Sequence, residues 1–333
     1  MKRMIKTLTL LVCLLILTSC SYGFEHATSP YNSFYSAYFI ETQDHYIFQE
    51  ETGWVVQDKK RMNKYPLISN PLEKETINQT ISCVKAIDET IYFLCRPTNN
   101  SVEIRKINLL NGHESVLYQE SYTAKTIELF GVTIWQEVIH SKDLLYRNIH
   151  DFFLIESGIV ILRDETIDLF DGSLTSGIYE GHYANVTSNG VDIFFTNETG
   201  EMIRVDISTF CTTPLGFFPA RPVVIDSSIF YLDAQSSYQL SKYDCVTQKS
   251  QHLSSDSWSN FHTFGTHFLL TDGKEPYIYD YKSSSVYPLK MFNLEVELDT
   301  NYDELFLLQD CYAVILINYE NFNYQYYYPS TSS

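Results

Sequence analysis

Beyond residue 30 the chain alternates apolar and polar positions with a period of two. The runs are short, rich in Tyr, Phe, Ile, Val and Thr, and separated by Gly, Asn, Asp and Ser. Successive side chains on a strand point to opposite faces, so this is strand chemistry; a helix would repeat its apolar positions at three and four. Helical periodicity is scarce: Leu72 to Gln79 has room for a turn or two.

The predicted strands recur in similar packets. An apolar strand is followed by a polar turn and then by a strand ending in Asp or Asn. Thr90–Leu94 leads to Arg105–Asn108, Gly158–Leu162 to Ile167–Asp171, and Asp192–Thr196 to Ile203–Asp206. Ser228–Leu232 leads to Lys242–Asp244, and His267–Thr271 to Ile278–Asp280. Asp171, Asp206, Asp244 and Asp280 follow one another at intervals of 35, 38 and 36 residues. An early packet, His45–Phe48 to Gln57–Asp58, and a late one, Ala313–Leu316 with Tyr324–Tyr328, bring the count to seven. A further hairpin, Thr133–Trp135 to Arg147–Asn148, is either a short eighth unit or an insertion.

Each unit has room for four strands, as in Val223–Ile225, Ile229–Leu232, Gln239–Tyr243 and Gln251–Leu253. One such sheet cannot bury both faces alone, and stacking units supplies the missing partners. The expectation is an all-β protein: a β-propeller of seven blades, or eight, mostly four-stranded and antiparallel. A β-helix ranks second and a two-sheet sandwich third. The aromatic end Tyr324–Tyr328 reads as a last strand, with a sugar-stacking ledge as the alternative.

At these packets, Ile91-Tyr92-Phe93 with Ile104–Asn108 and Ile229-Phe230-Tyr231 with Leu240–Asp244, the chain resembles propeller repeats of the YWTD type found in the low-density-lipoprotein receptor. It resembles more closely the uncharacterised propeller domains in lipoproteins of Gram-positive bacteria. The likeness spans most of residues 35–328, although the YWTD tetrapeptide itself is replaced by runs such as Phe194-Phe195-Thr196-Asn197. The resemblance implies a fold and an interaction role.

The N-terminus changes the picture. Lys2, Arg3 and Lys6 precede the apolar run Leu8–Leu17, which is too short to span a bilayer and has the form of a secretory signal. Leu17-Thr18-Ser19-Cys20 follows directly and is similar to the lipobox of bacterial lipoproteins. That resemblance implies cleavage before Cys20 and a diacylglyceryl thioether on it, an anchor with the two chains that stable attachment requires. The expected organisation is a leader over 1–19, lipidated Cys20 and a tether over 20–33, one propeller domain over 34–329, and a tail over 330–333. The expected location is the outer face of the cytoplasmic membrane.

Charge narrows the partners. With 23 Lys and Arg against 41 Asp and Glu, the net charge is −18. No basic stripe is available for a phosphate backbone, which excludes nucleic acid as a partner. Past the leader and Cys20, Cys83, Cys95, Cys211, Cys245 and Cys311 remain, an odd and scattered set that is no disulfide framework. Cys83 and Cys95 flank a predicted turn at Asp88–Glu89, so a bridge or two small buried side chains are the alternatives.

Catalytic motifs are missing: there is no phosphate-binding Gly loop, nucleophile elbow, H-E-x-x-H or C-x-x-C. His262 and His267 are at an odd spacing that sends them to opposite faces, so no metal site is expected there. The recurrent Asp171, Asp206, Asp244 and Asp280 read as Asx-turn acceptors after a strand. Turns joining second to third strands carry Glu50, Glu51, Arg96, Asp164, Glu165, Glu198, Asp233, Asp272 and Glu275. One Arg among eight acids would make that end attractive to a cation or a basic peptide. No cofactor is implied, and a lone calcium ion would lack the usual loop motif. The sequence thus points to a non-catalytic, lipid-anchored module binding a protein, peptide or glycan. The alternative is a propeller-fold carbohydrate-active hydrolase or lyase that uses axial carboxylates.

Overall fold

The computed structural model describes residues 39–67, 81–98, 101–121, 123–129, 132–139, 149–225, 227–264, 267–272, 276–280, 283–288, 304–307, 313–318 and 323–327. The expected leader over 1–19, Cys20 and the expected tether, Leu72–Gln79, Arg147–Asn148, Glu275, Cys311, Tyr328 and residues 330–333 lie outside them.

Six four-stranded antiparallel sheets are built from consecutive strands, each pairing with the next. The first is β1 (Phe39–Glu41), β2 (His45–Glu50), β3 (Gly53–Asp58) and β4 (Lys64–Pro66). The second is β5 (Ser82–Ile87), β6 (Thr90–Thr98), β7 (Ser101–Asn108) and β8 (Glu114–Ser121). A separate two-stranded hairpin follows, β9 (Thr123–Leu129) with β10 (Val132–Ile139). The third sheet is β11 (Asp151–Ile155), β12 (Gly158–Leu162), β13 (Thr166–Phe170) and β14 (Thr175–Glu180). The fourth is β15 (Tyr183–Ser188), β16 (Asp192–Asn197), β17 (Met202–Asp206) and β18 (Cys211–Pro214). The fifth is β19 (Pro219–Ile225), β20 (Ser228–Asp233), β21 (Gln239–Asp244) and β22 (Lys249–Ser257). The sixth is β23 (Asn260–Phe264), β24 (His267–Thr271), β25 (Pro276–Asp280) and β26 (Ser285–Pro288). A three-stranded sheet closes the list, β27 (Glu304–Leu307), β28 (Ala313–Asn318) and β29 (Asn323–Tyr327).

These four-stranded meanders are propeller blades, and among the described residues they number six, against the seven preferred and eight allowed from the sequence. Two observations account for the difference. Among the described residues the late packet forms three strands, with Tyr324–Tyr327 of the aromatic run in the strand β29. Of the expected hairpin, Thr133–Trp135 belongs to β10, which pairs backward with β9, and Arg147–Asn148 lies outside the described residues. Blades two and three touch directly, through a Lys85–Asp151 ion pair at 3.0 Å and a hydrogen bond from Cys83 Sγ to the His150 carbonyl at 2.9 Å. The hairpin is therefore an insertion.

The chain divides into two compact units at the boundary between Phe261 and His262, inside β23. The larger, Thr28–Phe261 with Glu320–Phe322, holds the first five blades. There the alternation of the sequence becomes a stack in which each inner blade is buried on both faces. Ile159 and Ile161 of β12 pack toward blade two, whereas Val160 and Leu162 pack toward blade four. Likewise Phe195 joins the core with blade three and its neighbour Phe194 the core with blade five. Each such side chain, buried completely, contributes about 2 kcal/mol of hydrophobic stabilisation. The outermost strands are different: β4 and β18 are exposed along their whole length and β22 over most of it, which leaves polar, solvated edges.

The recurrent Asp at the end of each third strand makes the expected turn. Asp171 Oδ1 accepts from the amides of Ser173 and Leu174, both at 2.8 Å. Asp58, Asp206 and Asp244 accept equivalent pairs of amides, and Asn108 does the same in blade two. Asp280 accepts from the Ser283 hydroxyl.

No disulfide joins Cys83 to Cys95; both are free thiols. A bulge between Ser82 and Lys85, with Cys83 at φ 54°, shifts the register, and the two side chains enter cores on opposite faces of the blade. The small-buried-residue alternative is the correct one.

Candidate functional site

Up-and-down blades have two unlike ends. One carries the turns from first to second and from third to fourth strands. The other, the loop face, carries the second-to-third turns and every connection between blades. Within the larger unit, the β9–β10 insertion is anchored on the loop face, because β8 ends at Ser121 opposite Ser101, the start of β7.

In blades one, three, four and five the structure places the acidic candidates on or beside this type of turn. Glu50 and Glu51 lie at β2–β3, Asp164 and Glu165 at β12–β13, Glu198 after β16, and Asp233 at the end of β20. Arg96 is inside the long strand β6 rather than in a loop, and is exposed. Asp272 follows β24 in the other unit, and Glu275 is outside the described residues. The acids are engaged locally. Glu50 pairs with Lys64 at 2.8 Å, Asp164 lies 3.9 Å from His150, and Asp233 accepts the Gln235 amide at 3.0 Å. Among the described residues, no three His, Cys, Asp or Glu side chains are grouped to hold a metal ion.

Two features escaped the sequence reading. The first is Arg163, directly before Asp164. It is 2% exposed and is held by Asp168 at 2.7 Å and by Glu120 of blade two at 3.0 Å. Burial pulls its guanidinium toward the neutral form, but the two carboxylates more than offset this and its pKa is raised. The Tyr183 hydroxyl donates to the Arg163 carbonyl and stacks its ring on His150. Burial lowers the pKa of His150, against the opposing pull of Asp151 and Asp164.

The second is a cavity of about 220 Å³ on blade five, where the connection from blade four meets the β20–β21 turn. Its floor is aromatic. Phe217 stacks on Tyr231 and Tyr243, each at 4.7 Å, and thereby completes the core between blades four and five. Backbone bonds from Met202 to Phe217 and from Ala234 to Phe218 pin the connection in place. Phe218, Asp233, Gln235 and His252 also line the cavity, whereas the side chain of Gln251 alternates to the other face of β22. Tyr231 donates to Ser250 at 3.3 Å, and burial raises its phenol pKa. The buried Ser241 hydroxyl is 2.9 Å from His252 Nδ1 and donates to the Gln239 carbonyl at 3.3 Å. Only Asp233 of this group had been singled out. The others fall in a connection and on an edge strand, where alternation carries no signal for a shared cavity.

No protein-family model matches the chain, and no curated protein matches it. Solved structures do. The extracellular domain of a one-component system of B. thetaiotaomicron aligns at 10% identity and a TM-score of 0.52, over 93% of this chain and 40% of that one. A prolyl endopeptidase aligns at 12% identity and a TM-score of 0.51, over 83% of this chain and 45% of that one. The WD40 β-propeller domain of Doa1 is covered over 93% of its length, and this chain over 88%, at 9% identity and a TM-score of 0.47. The chain thus spans less than half the length of the first two. Identities this low speak for the fold alone, and the chain's own strand order makes that fold an all-β propeller with four-stranded antiparallel blades.

Proposed function

We propose that the protein is a lipid-anchored, extracytoplasmic propeller that acts as a non-catalytic binding module for a protein, peptide or glycan. The carrying observation is the distribution of charged groups on the loop face. They stand on four of the five blades of the larger unit, at β2–β3, β12–β13, β16–β17 and β20–β21, spread over a packed stack. Such an array suits recognition by an extended surface, since loops on a rigid scaffold can vary without disturbing the core. Attachment to the membrane rests on the basic residues Lys2, Arg3 and Lys6, the apolar run Leu8–Leu17 and Cys20.

Two measurements test this reading. Cys20→Ala should release the protein from the membrane fraction; continued tight association overturns the anchor. A thermal-shift panel of cell-wall fragments, oligosaccharides, divalent metals and basic peptides tests the module. A ligand at 100 times its Kd stabilises the fold by about 2.7 kcal/mol, enough to raise the melting temperature visibly. Neutralising Glu50, Glu51, Asp164 and Glu165 together should abolish the shift given by a loop-face ligand. Turnover of an oligosaccharide by the purified chain would establish the hydrolase or lyase alternative instead.

A further inference from the structure

The end of the larger unit opposite the loop face, its turn face, carries an apolar pattern that the core does not explain. In each of the five blades the turn from third to fourth strand exposes a large apolar side chain: Met62, Leu110, Leu174, Phe210 and Val246. Val191, in the first-to-second turn of blade four, joins them. All six are 42–76% exposed. Apolar residues scattered singly over a surface are ordinary, but these recur at one structural position. On the loop face of the same unit, among the described residues, Tyr238 is the one large apolar side chain exposed to that degree.

Other residues of these turns already serve the core. Leu109 packs against the core of blades one and two, Ile207 is buried in that of blades three and four, and Cys245 packs against that of blades four and five. Leu110, Phe210 and Val246 of the same turns are left in solvent. The turns are also stitched together. Lys59, Leu109 and Cys245 donate their amides to the carbonyls of Asp44, Glu89 and Ser227, which joins the two turns within each of those blades. Between blades, the Asp44 amide donates to the Glu89 carboxylate at 2.9 Å and the Glu156 amide to the Gly190 carbonyl at 3.3 Å.

The chemistry of the tips selects what covers them. Leu and Val are under-represented among the residues that anchor protein interfaces, where Trp, Tyr and Arg dominate. Leu, Phe and Val do transfer favourably into a bilayer. The same turns carry Asp58, Asp171, Asp206 and Asp244. Two copies set face to face would bring like charges together, and an anionic lipid surface would meet the same repulsion. A zwitterionic lipid surface meets neither obstacle. Nineteen residues separate Cys20 from Phe39, a length that reaches about 65 Å when extended, against the ~20 Å of a six-residue strand. Either end of the blades can thus meet the membrane, and the tips decide which does.

We propose that the turn face docks on the zwitterionic surface of the membrane that holds the anchor, dipping its apolar tips among the headgroups and turning the loop face outward. The proposal rests on the lipid-anchored reading. Attachment through Cys20 keeps the tips at high local concentration beside the bilayer, so weak insertion suffices.

Fluorescence quenching tests it, with the acylated protein in phosphatidylcholine vesicles that contain nitroxide-labelled lipid. A fluorophore is attached to Cys211, exposed beside Phe210, or, in a Cys211→Ser background, to Gln235→Cys on the loop face. Burial keeps Cys83, Cys95 and Cys245 from competing, and Cys311→Ser is included in both chains. Interfacial apolar groups sit ~5–10 Å into the headgroup boundary, so the Cys211 label should be quenched at least ~3-fold more than the other. Leu110→Ser, Leu174→Ser, Phe210→Ser and Val246→Ser together should equalise the two labels; these side chains are exposed, so the fold survives their removal. Equal quenching in the parent, stronger quenching at Gln235→Cys, or a difference that survives the quadruple variant overturns the docking and leaves the anchor standing. A doubled mass in detergent solution that the quadruple variant loses gives the face to a second copy and also overturns it. If the acylated protein does not float with the vesicles, anchor and docking fall together.

Discussion

Arg163 and Glu120 join two blades through a charge contact at 3.0 Å, with the arginine 2% exposed. Their positions are 43 residues apart, and Asp168 on β13 holds the other side of the guanidinium. Loss of the arginine would leave two carboxylates facing each other in a largely dry interface. Arg163→Leu should therefore destabilise the protein by about 3–5 kcal/mol in urea unfolding. Adding Glu120→Leu and Asp168→Leu should recover most of that loss, because the uncompensated charges are then gone. An Arg163→Leu variant as stable as the parent would show that the clasp contributes nothing.

The Asx turns predict a specific response to acid. The carboxyls of Asp58, Asp171 and Asp244 are held below the ordinary range chiefly by backbone amides, from Arg61, Leu174 and Thr247 respectively; Asp206 is held down chiefly by the Ser208 hydroxyl. A depressed folded-state pKa means that the unfolded chain binds more protons. The stabilisation is present above the unfolded value of about 3.9 and is lost as pH falls through the folded values. Replacing all four by Asn keeps the acceptor, as Asn108 already does in blade two. The quadruple variant should lose less stability between neutral pH and the acid range than the parent, as read from urea midpoints. Parallel curves for the two proteins would refute this origin of the acid sensitivity.

Thiol chemistry should report the two-faced burial of blade two. Burial pushes Cys83 up to about 12 and Cys95 up to about 11, so neither forms the reactive thiolate near neutral pH. Cys211 is exposed on β18. Alkylation near pH 8 followed by peptide mapping should label Cys211 at least ~100-fold faster than Cys83 or Cys95. Denaturant should abolish the difference. A mixed Cys83–Cys95 disulfide peptide in the native digest would contradict the opposite-face placement.

Gly158 opens β12 at φ 150°, and a Cβ there would lie 2.1 Å from the Phe170 carbonyl oxygen. The neighbouring atom is backbone already in the ladder, so it cannot swing away. Gly158→Ala should cost about 2 kcal/mol or more. Gly112→Ala, at a positive φ with nothing within 4 Å, should cost about 1 kcal/mol. Equal effects would mean that the close approach is relieved by movement of the chain.

Much of this architecture could be read from local pattern. The period-two runs located the strands of blade five to within a few residues, and the spacing of Asp171, Asp206 and Asp244 located the third strands and their turns. Both are local properties, decided by which face of a strand a side chain takes and by hydrogen bonds within three residues. The blade count was not local. Val132–Ile139 and the Tyr324 run have strand chemistry equal to that of any blade, and membership in a blade depends on what packs beside them. The cysteines make the same point, since which of the two open alternatives holds depends on the cores that neighbouring blades build around Cys83 and Cys95, one on each face of blade two.

The candidate site divides along the same line. The charged turns, Asp233 among them, were visible because turns must be polar to satisfy their exposed backbone. The cavity was not, because Phe218, Asp233 and His252 belong to a connection, a turn and an edge strand, and only stacking of blades four and five brings them together. Buried Arg163 stayed hidden for a related reason: a lone arginine in an acidic turn looks solvated until a neighbouring blade places Glu120 and Tyr118 against it. Strand periodicity and turn chemistry are written into consecutive residues. Packing between blades sums contacts over separations of tens of residues, and that sum decided the number of blades, the fate of the thiols and the position of the cavity.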